Sequence, residues 1–466
     1  MNFSPARVPL LVLMLIFAGC YDLALWWGHA GSVWLVAVSA GALCAMAGAK
    51  TARRAFYAGM GAALLMEVPH LWFLTGIFQG IAVPLWLTLA LWPGVFCGTL
   101  HVLHRKWGAG AAVALAPVLW LGLEFYRSEV WALRFTWLTP GFALPPERMG
   151  WLFQSLGVYG SGALLVLAGA ALVLLKKPWW ALACGLGVPA LLLPGNRSVM
   201  PAGSVRVTGV QFEQALQPWV FEGLEAARVA HPDTGLFILP EYSFEGRVPE
   251  RFMDWCREHQ CWLVAGGKDF LPHGKGWPKY FNTAFVIGPD GTVRHRQAKA
   301  MPIQFFADGE PAETQAVWES PWGKLGICIC YDQNYARVVD PLAGQGMQAL
   351  LIPTMDLQTW GQHQHWLSAR LGATRAVEYG VPVVRLASSG ISLVLDARGR
   401  VLASGAMPGQ GEIVSAVLPL SAAPHQPWDR LPARWAVYPA GGLVLWALGV
   451  SFVEERRRHR LRKQAR

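Results

Sequence analysis

Of 466 residues, 54% are hydrophobic and only 15% are charged, against about a quarter charged in an ordinary soluble domain, so a wholly soluble chain is excluded. The net charge of +10 is gathered in short clusters beside apolar runs. That is the positive-inside pattern of a membrane protein, and it argues against nucleic acid as partner.

The N-terminal 200 residues read as a polytopic helical domain. A span needs about 20 apolar residues. Runs of that kind lie at 8–27, 32–49, 55–71, 77–103, 109–123, 156–175 and 179–193, with an eighth at 436–452. With a cytoplasmic N-terminus, Lys50, Arg53 and Arg54, then Arg105 and Lys106, then Lys176 and Lys177, and finally the tail at 454–466 all fall on the cytoplasmic side. The loops at 28–31 and 75–76 carry no Lys or Arg and fall outside. The same count puts the mixed-composition domain at 204–424 outside, followed by a C-terminal span within 434–453. Pro84, Pro93 and Pro117 blur the fourth and fifth spans.

Phe17-Ala18-Gly19-Cys20 looks like a lipoprotein cleavage site, but apolar sequence resumes at once and an uncleaved span is expected. Asp22, Glu67 and Glu124 lie in or near spans, where a carboxylate marks either a functional group or a helix–helix hydrogen bond. The stretch 125–150 is too polar to span. With Arg127, Arg134, Trp131 and Trp137 it reads as interfacial, either a lipid-facing mouth or a plain connection.

Beyond residue 204 the pattern changes. Strands are expected at 205–212, 236–239, 261–265, 325–330, 349–352 and 381–387, and helices at 218–229, 251–259 and 366–379. Hairpins are expected at 281–287/293–297 across Pro289-Asp290-Gly291 and at 392–396/401–403 around Arg398-Gly399. Strands alternating with helices imply a layered α/β domain, and the hairpins make its sheets mixed.

Three residues stand at strand ends, where α/β sites form. Glu241 follows Phe237-Ile238-Leu239-Pro240. Lys299 follows the first hairpin. Cys330 ends Gly326-Ile327-Cys328-Ile329-Cys330, before Tyr331-Asp332. A thiol attacks only as thiolate, so it needs a base. A carboxylate can take the proton, and an ammonium can hold the oxyanion of a tetrahedral intermediate. Cys, Glu and Lys thus suffice for acyl transfer through a thioester. Taken singly, each residue reads first as a core thiol, a turn carboxylate or a surface lysine, and only their joint arrangement lifts them above that.

Together these motifs resemble the nitrilase, or carbon–nitrogen hydrolase, superfamily. They are Leu239-Pro240-Glu241, Lys299 before Met301-Pro302, and Gly326 to Asp332; the run Ala373 to Gly380 with Pro382 is similar to the helix that follows the nucleophile. The resemblance implies a four-layer α-β-β-α sandwich, here inserted between about seven membrane helices before it and one after. Leu119 to Arg127 and Leu156 to Gly160 are similar to membrane segments of the apolipoprotein N-acyltransferase family. That resemblance implies an acyl chain taken from a phospholipid onto Cys330 and passed to the N-terminal amine of a diacylglyceryl lipoprotein. Glu241 is the implied base, with Lys299 and a backbone N–H near Tyr331 holding the oxyanion. Glu310, in Gly309-Glu310, is the implied second carboxylate beside the Lys and Glu, and Tyr331 and Asp332 are supporting residues. No metal and no cofactor are implied. A monomer in a bacterial inner membrane is expected, with the catalytic domain periplasmic.

The chain departs from the family at Asp332, where Glu is usual, and over Thr354 to Gly361. A membrane-tethered amidase or nitrilase, such as those encoded with conjugation systems, uses the same triad on a small amide. A nitrilase domain kept as an interaction module needs none of it. Cys328, two residues before Cys330 on a strand, is expected on the same face. Cys256 and Cys261 are either buried thiols or a disulfide, and His363 and His365 are expected to start a helix rather than bind metal.

Overall fold

The computed structural model describes residues 8–29, 31–175, 201–214, 216–272, 278–409, 411–422 and 424–464, with the single positions 179 and 187. Apart from those two positions, the expected seventh span at 179–193 and the Lys176–Lys177 loop therefore fall outside the described residues. The chain divides into two compact units, Met1–Gly195 with Pro427–Arg466, and Asn196–Gln426.

The first unit is helical. Its elements are α1 (Leu10–Trp27), α2 (Ser32–Ala45), α3 (Ala52–His70), α4 (Leu74–Phe78), α5 (Ala82–Phe125), α6 (Gly150–Leu174) and the C-terminal helix Arg430–Gln464. The fourth and fifth expected spans are the two arms of α5, and the break between them is at Gly108, whose φ of 84° no helix tolerates. Pro93 and Pro117 sit inside the arms instead of ending them. Among the described residues, four runs are long and apolar enough to cross a membrane: Leu10–Trp27, Leu74–Val130, Gly150–Leu174 and Arg430–Gln464. Helix α3 has the length, but Arg53, Arg54 and Glu67 leave it no 18-residue stretch as free of charge as those within the four runs.

Small residues let the helices meet closely, as expected where lipid supplies no hydrophobic drive between them. A Cβ on Gly122 of α5 would lie 2.3 Å from the Ala436 carbonyl oxygen of the C-terminal helix. Asp22 pairs with His70 at 2.8 Å. Glu67 and Glu124 are buried and line one small cavity with Arg127.

The second unit holds two six-stranded mixed sheets. Strands β1 (Pro201–Val210), β2 (Leu236–Ile238), β3 (Trp262–Phe270), β4 (Tyr280–Ile287) and β5 (Val293–Ala298) form one, with β12 (Ile413–Ser421) at its edge in the order β12-β1-β2-β3-β4-β5. The other runs β11-β10-β9-β8-β7-β6, from β6 (Trp318–Ser320), β7 (Gly323–Ile327), β8 (Ala349–Thr354), β9 (Val383–Ala387), β10 (Leu393–Leu395) and β11 (Val401–Ser404). Each has a parallel centre, β1-β2-β3 and β7-β8-β9, flanked by antiparallel pairs.

Alternation along each strand divides the core. Leu236, Ile238, Val264, Ile327, Leu351 and Leu386 pack between the sheets. Phe237 and Leu263 face outward, against α7 (Gln217–Ala230) and α8 (Glu250–His259) through Val220, Leu224, Phe252 and Trp255. Leu350 and Val383 face α9 (Ala336–Gly344) and α10 (Gln362–Tyr379) through Val339, Leu342, Ala376 and Tyr379. The result is the four-layer α-β-β-α sandwich.

Candidate active site

Glu241 leaves the end of β2, Lys299 the end of β5 and Cys330 the end of β7, so three strand termini converge. Two backbone features bring Glu241 in. Tyr242 takes a left-handed φ of 52°, and Gly266 on β3 admits the turn: a Cβ there would lie 2.7 Å from the Glu241 Cα.

Glu241, Lys299 and Cys330 are all buried. Lys299 Nζ donates to Glu241 Oε1 at 2.8 Å and to Asp308 Oδ2 at 2.7 Å. Asn282 Nδ2 donates to Glu241 Oε1 at 2.6 Å and to Asp308 Oδ1 at 2.9 Å, tying the two carboxylates together. The Tyr242 hydroxyl and the Ile303 N–H also donate to Asp308, each at 2.8 Å. Met355, just beyond β8, links acid and thiol. Its N–H donates to Glu241 Oε2 at 2.9 Å, and its carbonyl oxygen lies 3.7 Å from Cys330 Sγ.

A buried charge needs partners, because removing one member of such a pair costs about 3–5 kcal/mol. Burial works to lower the Lys299 pKa, but Glu241 and Asp308 override it and hold the ammonium well above its usual range. Burial pushes Glu241 up, against the pull of Lys299. Burial works to raise Asp308, but the Lys299 charge together with the hydrogen bonds from Lys299, Ile303 and Tyr242 holds it below its usual range. Burial first and Glu241 second drive the Cys330 thiol well above its usual range, against Lys299. The resting site is therefore a protonated thiol beside a raised carboxylate and a fixed cation.

Cys330 has a φ of 49° and opens the one-turn helix Cys330–Asn334. That conformation turns it into the core between the sheets, while Cys328 packs on the helical side. The two thiols therefore do not share a face. The period of two carries Leu325, Ile327 and Ile329 into the core between the sheets, beyond the end of β7, and the left-handed turn at Cys330 breaks it.

Asp332 fastens two of the converging termini. Its carboxylate accepts from the backbone N–H of Met301 at 2.7 Å, Ala300 at 3.1 Å and Ile329 at 3.1 Å. Burial raises its pKa to about 7. Burial likewise raises Tyr331, whose hydroxyl pKa reaches about 12 and whose ring packs edge-on against Tyr335. Behind Met355, Arg385 Nη2 donates to Asp356 Oδ2 at 2.5 Å in a fully buried pair.

Glu310 requires a correction. It is partly exposed and pairs with Lys279 at 2.9 Å; the second carboxylate on Lys299 is Asp308. The reason is Gly309, whose φ of 87° reverses the chain so that residues 308 and 310 face apart. The Lys299–Glu241 pair and the Tyr242 hydroxyl then leave Asp308 fully engaged. Elsewhere, His365 Nε2 contacts the Leu357 carbonyl oxygen at 2.8 Å and the His363 ring stacks on Trp366. Cys256 and Cys261 are free thiols.

A family model described as carbon–nitrogen hydrolase matches residues 219–423, and one described as apolipoprotein N-acyltransferase N-terminal domain matches residues 14–171. The apolipoprotein N-acyltransferase of Geobacter metallireducens is 22% identical over 420 residues, which cover 76% of this chain and 79% of that protein. The enzyme of the same name from Allorhizobium ampelinum is 28% identical over 435 residues, 79% of each chain. A crystal structure of a carbon–nitrogen hydrolase from Helicobacter pylori G27 matches 47% of this chain and 89% of its own, at 21% identity and a TM-score of 0.40. Membrane helices and a nitrilase-type sandwich in one chain, each half matched by its own family model, make this protein an enzyme of the carbon–nitrogen hydrolase superfamily, and the chain belongs to its apolipoprotein N-acyltransferase family.

Proposed function

We propose that this enzyme moves an acyl chain from a phospholipid, through a thioester on Cys330, to the N-terminal amine of a diacylglyceryl lipoprotein. The observation that carries this reading is the Met355 backbone, which contacts the Glu241 carboxylate and the Cys330 thiol at once while Lys299 holds that carboxylate.

In the first half-reaction, Glu241 takes the Sγ proton as the sulfur attacks the ester carbonyl. The Lys299 ammonium faces the negative oxygen that develops. Collapse of the intermediate breaks the C–O bond, and the Glu241 proton goes to the leaving lysophospholipid oxygen. In the second, the lipoprotein amine attacks the thioester. It does so unprotonated, and α-amino groups titrate near about 7.7–8.0. Glu241 takes one amine proton and returns it to Sγ as the C–S bond breaks. An amide forms and the free thiol is restored.

The working site is the 204–424 domain on the periplasmic side of the inner membrane, between the helical N-terminal region and the final span. A monomer carries the whole site. Mass spectrometry of the purified protein after incubation with phosphatidylethanolamine tests the reading. An acyl adduct on Cys330 is expected. No adduct, together with ammonia released from simple amides, would replace the acyltransferase with a small-amide hydrolase.

A further inference from the structure

We infer that the helical unit carries an anionic-lipid site, remote in sequence from the catalytic residues, that takes a phosphodiester headgroup bearing hydroxyl groups. It is a cavity of about 320 Å³ formed by the start of α3, the Arg105–Lys106 turn of α5 and the far half of the C-terminal helix.

Charge favours an anion there. Arg53, Arg105, Lys106, Arg458 and Arg462 line the cavity, against Glu454 and Glu455. Glu454 is already engaged by Arg105 at 2.7 Å and Lys106 at 2.6 Å. Arg458 and Arg462 stand one and two turns beyond it on the same helical face. The N-terminus of α3 adds the positive end of a 19-residue helix, capped by the Thr51 hydroxyl, which accepts from the Arg54 N–H at 3.2 Å.

A buried side chain points to a ligand independently of charge. His101 is buried in the cavity wall. Its Nδ1 is 2.8 Å from the Ala47 carbonyl oxygen, which can only accept, so Nδ1 carries the proton. Nε2 is then an acceptor, and it has no partner among the described residues. An arginine-rich cavity with one deep acceptor suits a phosphate that carries a hydroxyl donor. A glycerol headgroup supplies both.

The surroundings select a lipid over a free anion. Val102 and Val450 share the lining. Trp107 stacks on Trp446 with ring centroids 4.3 Å apart, and Phe452 and Val453 are exposed beside the site. Amphipathic rings belong at headgroup depth, and basic pockets between helices bind acidic headgroups.

The test is native mass spectrometry of the full-length protein released from micelles containing equal phosphatidylglycerol and phosphatidylcholine. Retention of phosphatidylglycerol over phosphatidylcholine by at least about tenfold is expected, the equivalent of 1.4 kcal/mol. Arg458→Ala with Arg462→Ala should abolish that preference. Arg457→Ala with Arg460→Ala, which removes equal charge outside the cavity, should keep it. Equal loss in both pairs would reduce the effect to diffuse attraction and overturn the proposal. Displacement of the lipid by millimolar inorganic phosphate would overturn the lipid assignment. The thermal midpoint of each variant confirms folding.

Discussion

The proton on Cys330 decides what the site can do at rest. Burial and Glu241 keep that thiol protonated, so acylation needs Glu241 in its basic form. Burial raises the Glu241 pKa above its usual 4.5. The base is fully available above the raised value and is lost as pH falls through it. Single-turnover acylation of Cys330 should therefore show an acidic limb centred above 4.5, and a limb at or below that value would contradict the assignment of Glu241 as base. Asp308 and Glu310 make a second comparison. Asp308→Asn removes one of the two charges holding Lys299 and should slow acylation by about 10²-fold, the scale of losing one oxyanion group. Glu310→Gln removes only a surface ion pair and should change the rate by no more than about twofold. The reverse ranking would restore Glu310 to the site. The convergence of Glu241, Lys299 and Cys330 was legible because each stands at a strand end. Asp308 was not, because only the left-handed turn at Gly309 decides which neighbouring carboxylate faces inward.

Among the elements, strand ends matter more than strands. Strand β2 is only three residues long, yet Glu241 is fixed because its backbone lies against Gly266 of β3. Gly266→Ala would put a methyl 2.7 Å from the Glu241 Cα and the Tyr242 amide nitrogen. Overpacking of that kind costs about 1–3 kcal/mol, or about 2–4 °C in melting temperature per kcal/mol for a unit of this size. The expected signature is an acylation rate that falls further than the unfolded fraction explains. A rate that tracks stability alone would make Gly266 a packing residue only. Asp332→Asn tests the clasp between the Lys299 and Cys330 loops. It leaves one acceptor oxygen for three backbone donors, and each unmet donor costs about 1–3 kcal/mol. Calorimetry should register that loss with the triad intact. The central strands were readable from apolar runs. Edge strand β12 was not: its exposure alternates irregularly, so no period of two announces it. The Cys328–Cys330 pair misled for another reason, since the alternation runs on to Ile329 and is broken only by the left-handed turn at Cys330.

For the whole molecule, the parity of membrane crossings decides which compartment holds the catalytic residues. Helices α1, α2, α3, the two arms of α5 and α6 supply six crossings if each spans. Six would leave the catalytic domain on the same side as the N-terminus, and seven would put it opposite. Lys50, Arg53, Arg54, Arg105, Lys106, Lys176 and Lys177 share a side on either count, and the basic tail argues for seven, because only then does it join them. The proposed chemistry argues the same way, since a lipoprotein amine is reached only after export. Two single-cysteine variants separate the cases. Asp254 is well exposed on the catalytic unit, and Gln464 is exposed near the chain end. In spheroplasts, a membrane-impermeant maleimide should label Asp254→Cys at once and Gln464→Cys only after lysis. If Asp254→Cys also waits for lysis, the crossings number six, the domain faces the cytoplasm, and acylation of exported lipoproteins is no longer possible at this site.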